Sequence, residues 1–170
     1  MAGALCALLL PSVSGSTGSA KAGGIFRVTF LTTPGNFDHI DPALAYSRES
    51  WALLDTVCAR LMRYRDRPPP QGYQLEPEVA AAPPVVSRDA RTWTFRLRNG
   101  FRFSDGSPVR ADAFAQAIHR TMAPGVDSPA YLYTQAIVGA EDVHAGRAAR
   151  AAGVTVRGNT LTIPVHARGK

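Results

Sequence analysis

Trp93 to Arg120 reads WTFRLRNGFRFSDGSPVRADAFAQAIHR, and the hydrophobic period changes once inside it. Trp93, Phe95 and Leu97 alternate with Thr94, Arg96 and Arg98, a period of two that puts apolar side chains on one face of a half-buried strand. Asn99-Gly100 and Ser104-Asp105-Gly106 then supply small residues that accept positive φ, so the chain turns twice around Phe101 and Phe103. From Ala111 the apolar positions are Ala111, Phe114, Ala115, Ile118 and Met122, the spacing of one helix face, with Asp112 in the first turn where the helix dipole favours an anion. Strand, turn and amphipathic helix predict a mixed α/β (α+β) unit. Its core is expected to gather Trp93, Phe95, Phe103, Phe114 and Ile118 between sheet and helix.

On the N-terminal side, Phe26, Val28 and Phe30 alternate with Arg27 and Thr29, a strand signal over Ile25–Leu31. Thr32 to Asp41 reads as loop. Ser47 is placed to cap a helix whose apolar face is Trp51, Leu54, Val57, Cys58 and Leu61. Cys58, sharing that face with Leu54, Leu61 and Met62, reads as a buried small hydrophobe. Pro68-Pro69-Pro70 is a stiff, exposed connector. Pro83 to Ser87 leads through Arg88-Asp89-Ala90-Arg91 into the central strand, a hairpin whose turn lacks the usual Gly. On the C-terminal side, Gly153–Val156 and Thr160–Ile163 form a hairpin about Arg157-Gly158-Asn159.

The chain has 170 residues, 45% of them hydrophobic, and no internal repeat, enough for one ordinary core. Its net charge of +6 raises the question of nucleic acid, but the arginines are dispersed among apolar residues with no basic block or RNA-binding aromatic motif, so no nucleic-acid partner is expected. Met1 to Ala22 reads as a secretory leader with an incomplete basic start: an apolar run over Ala4 to Leu10, Pro11, a Ser/Gly-rich stretch, and Ala20-Lys21-Ala22 as cleavage site. Removing it leaves Cys58 with no disulfide partner, and Cys6 lacks the small-residue setting of a lipid-attachment site. The four histidines, His39, His119, His144 and His166, are too scattered for metal spacing, so no metal or other cofactor is expected, His39 beside Asp41 being the one place to test. Ser104, Asp105 and His119 do not form a hydrolytic set, since Asp105 sits in a turn and His119 on the expected polar side of its helix. No phosphate-cradling G-x-x-x-x-G-K-[ST] loop is present. No catalytic residue is assigned, and the chain is not expected to be an enzyme.

The run TFRLRNGFRFSDGSPVRADAF resembles the signature of the family 5 extracellular solute-binding proteins, the peptide, dipeptide and nickel receptors of ABC importers, roughly YTFxLRxGVxFxDGxPxTAxDV. Arg110 departs from it, replacing a helix-capping Thr, which should weaken that helix start by about 1 kcal/mol. Ile40-Asp41-Pro42 is similar to the family's LDP turn, Ala59 to Asp66 to EGLxxYD, Glu76 to Ala80 to PxLAxxW, Asp127 to Leu132 to SPYAxxL, Ile137 to Gly146 to IxGAExxxxG, and the last hairpin to GVxxxDxxTxxxxL. The resemblance spans Gly24 to Val165. It implies the first-lobe portion of a two-lobed, periplasmic-binding-protein type II clamp, with mixed small sheets and packed helices. Residues 23–170 would be the N-terminal part of the solute-binding domain, without the second lobe, in a family whose chains are about three times this length.

The implied function is the substrate-binding component of an ABC transporter that imports peptides or similar small solutes. The chain would be exported to the periplasm or cell surface, monomeric as the intact family is, and would work with permease subunits in the membrane. The alternative is a secreted hydrolase sharing the strand-turn-helix pattern. The resemblance places ligand contacts on two loops, Tyr46, Ser47 and Arg48 after the Asp-Pro turn, and Ser128, Pro129, Ala130 and Tyr131. Ala130 stands where an aromatic is common, and Tyr131 takes that role. The competing reading of Tyr46 and Tyr131 is plain packing.

Overall fold

The computed structural model describes residues 37–166 together with Gly24, Ile25, Arg27 and Thr29. The expected leader and most of the expected strand Ile25–Leu31 lie outside the described residues.

The stretch from Trp93 to Arg120 folds in the expected order. Strand β4 (Thr92–Arg96) is followed by two turns and helix α2 (Ala111–Met122). β4 is central in a four-stranded antiparallel sheet of order β3-β4-β6-β5, with β3 at Val85–Val86, β5 at Thr155–Arg157 and β6 at Thr160–Pro164. Register puts Trp93 opposite Ile163 and Phe95 opposite Leu161, so one face of β4 and β6 is apolar as the alternation requires. Asn159 extends the pairing past the strand end. Its backbone carbonyl accepts from Leu97 N at 2.9 Å while its side-chain amide donates to the Leu97 carbonyl at 3.2 Å. The β3–β4 turn without glycine exists, and Ala90 occupies the left-handed position at φ 57°. Asp89 and Ser87 stabilise it: Asp89 accepts from Ser87 Oγ at 2.6 Å and from Arg91 N at 3.2 Å.

α2 lies against β5 and β6. The residues that seal the interface are smaller than expected: Val79, Leu97, Ala111, Ala115 and Leu161 are buried, with Phe95, Phe101, Phe114, Ile118, Val156 and Ile163 half-buried around them. Trp93 and Phe103 do not join this core; they are 39% and 48% exposed. Trp93 sits toward the end of the ladder next to the two-residue β3, and Phe103 is carried out on the turn closed by Phe103 N donating to the Ser107 carbonyl at 2.8 Å. A second apolar cluster, Met122, Ile137, Ala140, Val143 and Ala151, joins the end of α2 to the short helices α3 (Tyr131–Thr134) and α4 (Ala140–His144), with Tyr131 packed on it. Gly139 is essential to that join: it has φ 86°, and a Cβ there would lie 2.7 Å from Ala152 N. Arg110 makes no side-chain cap bond to α2, as expected.

Helix α1 (Arg48–Val57) has its expected Ser47 cap, whose Oγ accepts from Ser50 N at 3.2 Å, but it ends at Val57, short of the expected face residues Cys58 and Leu61. Cys58 is already extended, so Cys58 and Leu61 are not on a helical face, and Met62 opens strand β1 (Met62–Tyr64). Tertiary pairing decides this boundary. β1 pairs with β2 (Leu75–Pro77), and Arg60 N donates to Glu78 Oε2 at 2.8 Å while Val79 N donates to the Arg60 carbonyl at 2.9 Å, drawing residues 58–61 into an extended path. Cys58 is half-buried instead of buried. Of α1, Ser50 and Leu54 are buried, while Trp51 and Val57 are exposed. The three prolines are exposed on the β1–β2 connection.

Candidate functional site

The segment between Asp38 and Ser50 is organised by one carboxylate. Asp38 Oδ2 accepts from Tyr46 N at 2.6 Å and Ser47 N at 2.9 Å, and Oδ1 accepts from His39 N at 2.7 Å, Ser47 Oγ at 3.0 Å and Ser50 Oγ at 2.5 Å. These donors favour the charged form. The Ser50 hydroxyl is foremost among them, and together with the backbone amides it holds the Asp38 carboxyl far below the usual carboxylate range. The carboxylate also lies at the N-terminus of α1, where the helix dipole favours it.

A second carboxylate ties the same loop to α2. Asp41 Oδ1 accepts from Arg120 Nη1 at 2.6 Å and from Ala43 N at 3.0 Å. Arg120 first, then the Ala43 amide, hold the Asp41 carboxyl below its ordinary value. The loop is fastened again from the other side: buried Ser128 donates its hydroxyl to the Ala43 carbonyl, while its Oγ accepts from Ala130 N at 3.2 Å. The Asp-Pro loop and the Ser-Pro loop therefore meet.

Beneath this junction lies a cleft of about 340 Å³. Asp41, Ala43, Leu61, Phe114, Ile118 and Arg120 are among its lining residues, so its walls are apolar and one edge carries the Asp41–Arg120 ion pair. Thr121 and Thr134 bridge α2 to α3 through hydroxyls 3.0 Å apart at another edge.

The seven residues expected to contact ligand divide by what their side chains already do. Tyr46 is 71% exposed and Arg48 is exposed, so both are free to meet a partner. Ser47 is engaged with Asp38 and the Ser50 amide of α1, and Ser128 with Ala43. Pro129 and Ala130 are half-buried. Tyr131 stacks on His144, ring centroids 4.0 Å apart at 16°, and packs on the second apolar cluster, which agrees with the packing reading for that residue. None of the seven lines the cleft. Asp38 and Arg120 are the residues sequence reasoning missed. A lone Asp nine residues before an N-cap serine carries no motif, and the Arg120–Asp41 pair spans 79 positions.

Asp105 accepts from Ser107 N at 2.8 Å and Ser107 Oγ at 2.7 Å within its own turn, so it orients no histidine. His119 is half-buried, not on a solvated helix side, and its Nε2 has no partner among the described residues. Burial lowers its pKa, the Ala151 backbone opposes this, and Arg150 adds to it. Among the described residues no group of His, Cys, Asp and Glu could hold a metal ion, and no helix is long and apolar enough to cross a membrane.

The model of bacterial extracellular solute-binding proteins, family 5 Middle, matches residues 74–157. The dipeptide-binding protein DppE of Bacillus subtilis is 28% identical over 134 residues, which are 78% of this chain and 23% of that protein. The structure resembles that of the pheromone receptor PrgZ, solved in a study of its peptide binding, with TM-score 0.66 and 30% identity over 76% of this chain and 25% of that one. It also resembles the murein tripeptide binding protein MppA of Escherichia coli, with TM-score 0.63 and 30% identity over 75% of this chain and 24% of that one. The chain thus spans about a quarter of the length of these relatives.

Proposed function

Because residues 74–157 match the model of the family 5 bacterial extracellular solute-binding proteins, we propose that this chain supplies part of the ligand-contacting lobe of a peptide receptor serving an ABC importer. Residues 23–170 then contribute to the first lobe of a two-lobed clamp that works outside the cytoplasmic membrane and hands short peptides or similar solutes to permease subunits.

The observation that carries this reading is the junction of the two loops. Ser128 fastened to the Ala43 carbonyl, and Asp38 fastened to the amides of Tyr46 and Ser47, hold the exposed Tyr46 and Arg48 on a rigid loop end. In this reading Tyr46 offers an amphipathic ring for a peptide side chain or backbone, and Arg48 offers a fork for a carboxylate. Ser47 and Ser128 act through the loops they hold, and Pro129, Ala130 and Tyr131 shape the neighbouring wall.

A peptide held on one open surface keeps much of its own surface in water, so binding by this chain alone should fall in the millimolar range, about 4 kcal/mol. Equilibrium titration with mixed di- to pentapeptides tests this. The double substitution Tyr46→Ala and Arg48→Ala should weaken binding with no change in melting temperature. Turnover of generic ester or peptide substrates, abolished by neither substitution, would replace the receptor reading with a hydrolytic one.

A further inference from the structure

The β1–β2 connection carries a second concavity that shares no residue with the cleft under the Asp-Pro loop. Arg63, Arg65, Asp66, Arg67, Gln71 and Glu76 line a recess of about 370 Å³. Arg63 and Glu76 face one another in the β1–β2 register. Glu76 Oε1 accepts from Arg63 Nε at 3.0 Å and lies 2.9 Å from Arg63 Nη2, and its Oε2 lies 3.4 Å from Arg65 Nε. One carboxylate thus orients two arginines.

Arg67 completes the recess by backbone design. By the period of two, Arg63, Arg65 and Arg67 fall on one face, and Arg67 N donating to the Arg65 carbonyl at 2.9 Å ends the extended path there in a tight turn. The connection behind it is stiff: Pro68-Pro69-Pro70 leads into a 3₁₀ turn at Gln71–Tyr73, and Gly72 N donates to the Pro68 carbonyl at 3.1 Å. Gly72 passes so close that a Cβ would lie 2.2 Å from the Arg67 carbonyl oxygen. Among the described residues the Arg67 guanidinium has no ion pair or side-chain hydrogen bond, so a rigid loop presents an unpaired fork.

From this arrangement we propose that the recess is a docking point for a single carboxylate carried on an acidic segment of a partner protein. Charge selects the ligand class: three arginines against Asp66 and Glu76 leave one unit of positive charge, which matches a monoanion and disfavours a dianionic phosphate. Geometry agrees, because planar guanidinium groups bind carboxylate oxygens in pairs. The open, exposed lining makes one such contact weak by itself. It therefore belongs in a larger protein interface and not to a free small molecule.

NMR titration of the chain, following the arginine Nε–Hε signals, tests the proposal with acetyl-Gly-Glu-Gly-amide, its Gln counterpart and inorganic phosphate. Saturable shifts of Arg65 and Arg67 with the Glu peptide, fading as salt rises, absent with the Gln peptide and weakened about tenfold by Arg67→Ala, are the expected result. Arg67→Gln should behave as Arg67→Ala, and Arg91→Ala, which is not among the lining residues, should bind like the parent. Equal response to the Gln peptide, binding unchanged in both Arg67 variants, or tighter binding of phosphate than of the Glu peptide would each overturn it.

Discussion

The layer formed by α2 and the four-stranded sheet and the segment from Asp38 to Val57 are held by opposite means. In the first, Val79, Leu97, Ala111, Ala115 and Leu161 close an apolar interface. In the second, α1 buries only Ser50 and Leu54, and the approach to it is fixed by the hydrogen bonds that Asp38 and Asp41 accept. Burial is non-directional and indifferent to pH, whereas a carboxylate hub works only while ionised. One region should thus behave as a foundation and the other as a latch that can open alone.

The largest expected effect lies in the foundation. Leu161→Ala removes a fully buried side chain paired with Phe95 and Val156 across the sheet, and should cost about 2–5 kcal/mol in denaturant unfolding. Phe114→Ala should cost less than the about 3–5 kcal/mol of a fully buried phenylalanine, because Phe114 is half-buried and lines the cleft. If Phe114→Ala proved the more damaging, the small-residue interface would not be the centre of the layer.

Next comes the latch. Asp38→Asn leaves the shape but weakens its acceptance of hydrogen bonds, so amide exchange at Tyr46, Ser47 and along α1 should accelerate while β4 and β6 stay protected. Acid should do the same without mutation. Both carboxyls titrate below their ordinary value, Asp38 because of Ser50 first and Asp41 because of Arg120 first. A depressed pKa adds stability that is complete above the unfolded value, about 3.9, and is lost as pH falls through the folded value. Exchange measured as pH is lowered below about 4 should therefore release residues 38–57 before the sheet. Simultaneous loss of both would erase the distinction.

The smallest effect is a gain. Arg110 caps α2 without a side-chain bond, and Arg110→Ser should raise stability by about 1 kcal/mol, read as a higher denaturation midpoint at unchanged slope.

The same contrast explains what sequence could disclose. β4, its turns, α2 and the final hairpin were legible because period, turn residues and face lie within a few positions of one another. Even the glycine-free turn at Ala90 was readable. Trp93 and Phe103 misled because alternation assigns a face but not a depth, and depth falls away at a ladder end and on a projecting turn. β1 escaped because Met62–Tyr64 is three residues long and its partner lies beyond the prolines, so pairing, not propensity, ended α1. Of the candidate site, Ser47 was legible as a cap. The roles of Asp38, Arg120 and Ser128 depend on contacts across the fold, up to 85 positions apart for Ser128 and Ala43, which no local pattern announces.

In the proposed function, the latch and the Ser128–Tyr131 loop form one peptide-contacting face. Amide chemical-shift mapping of the chain with mixed di- to pentapeptides tests it most directly. Perturbations should cluster at Tyr46 to Arg48 and Ser128 to Tyr131, and disappear below the pH at which α1 loses protection. Perturbations confined to the β5–β6 hairpin, or undiminished after the latch has opened, would contradict the claim.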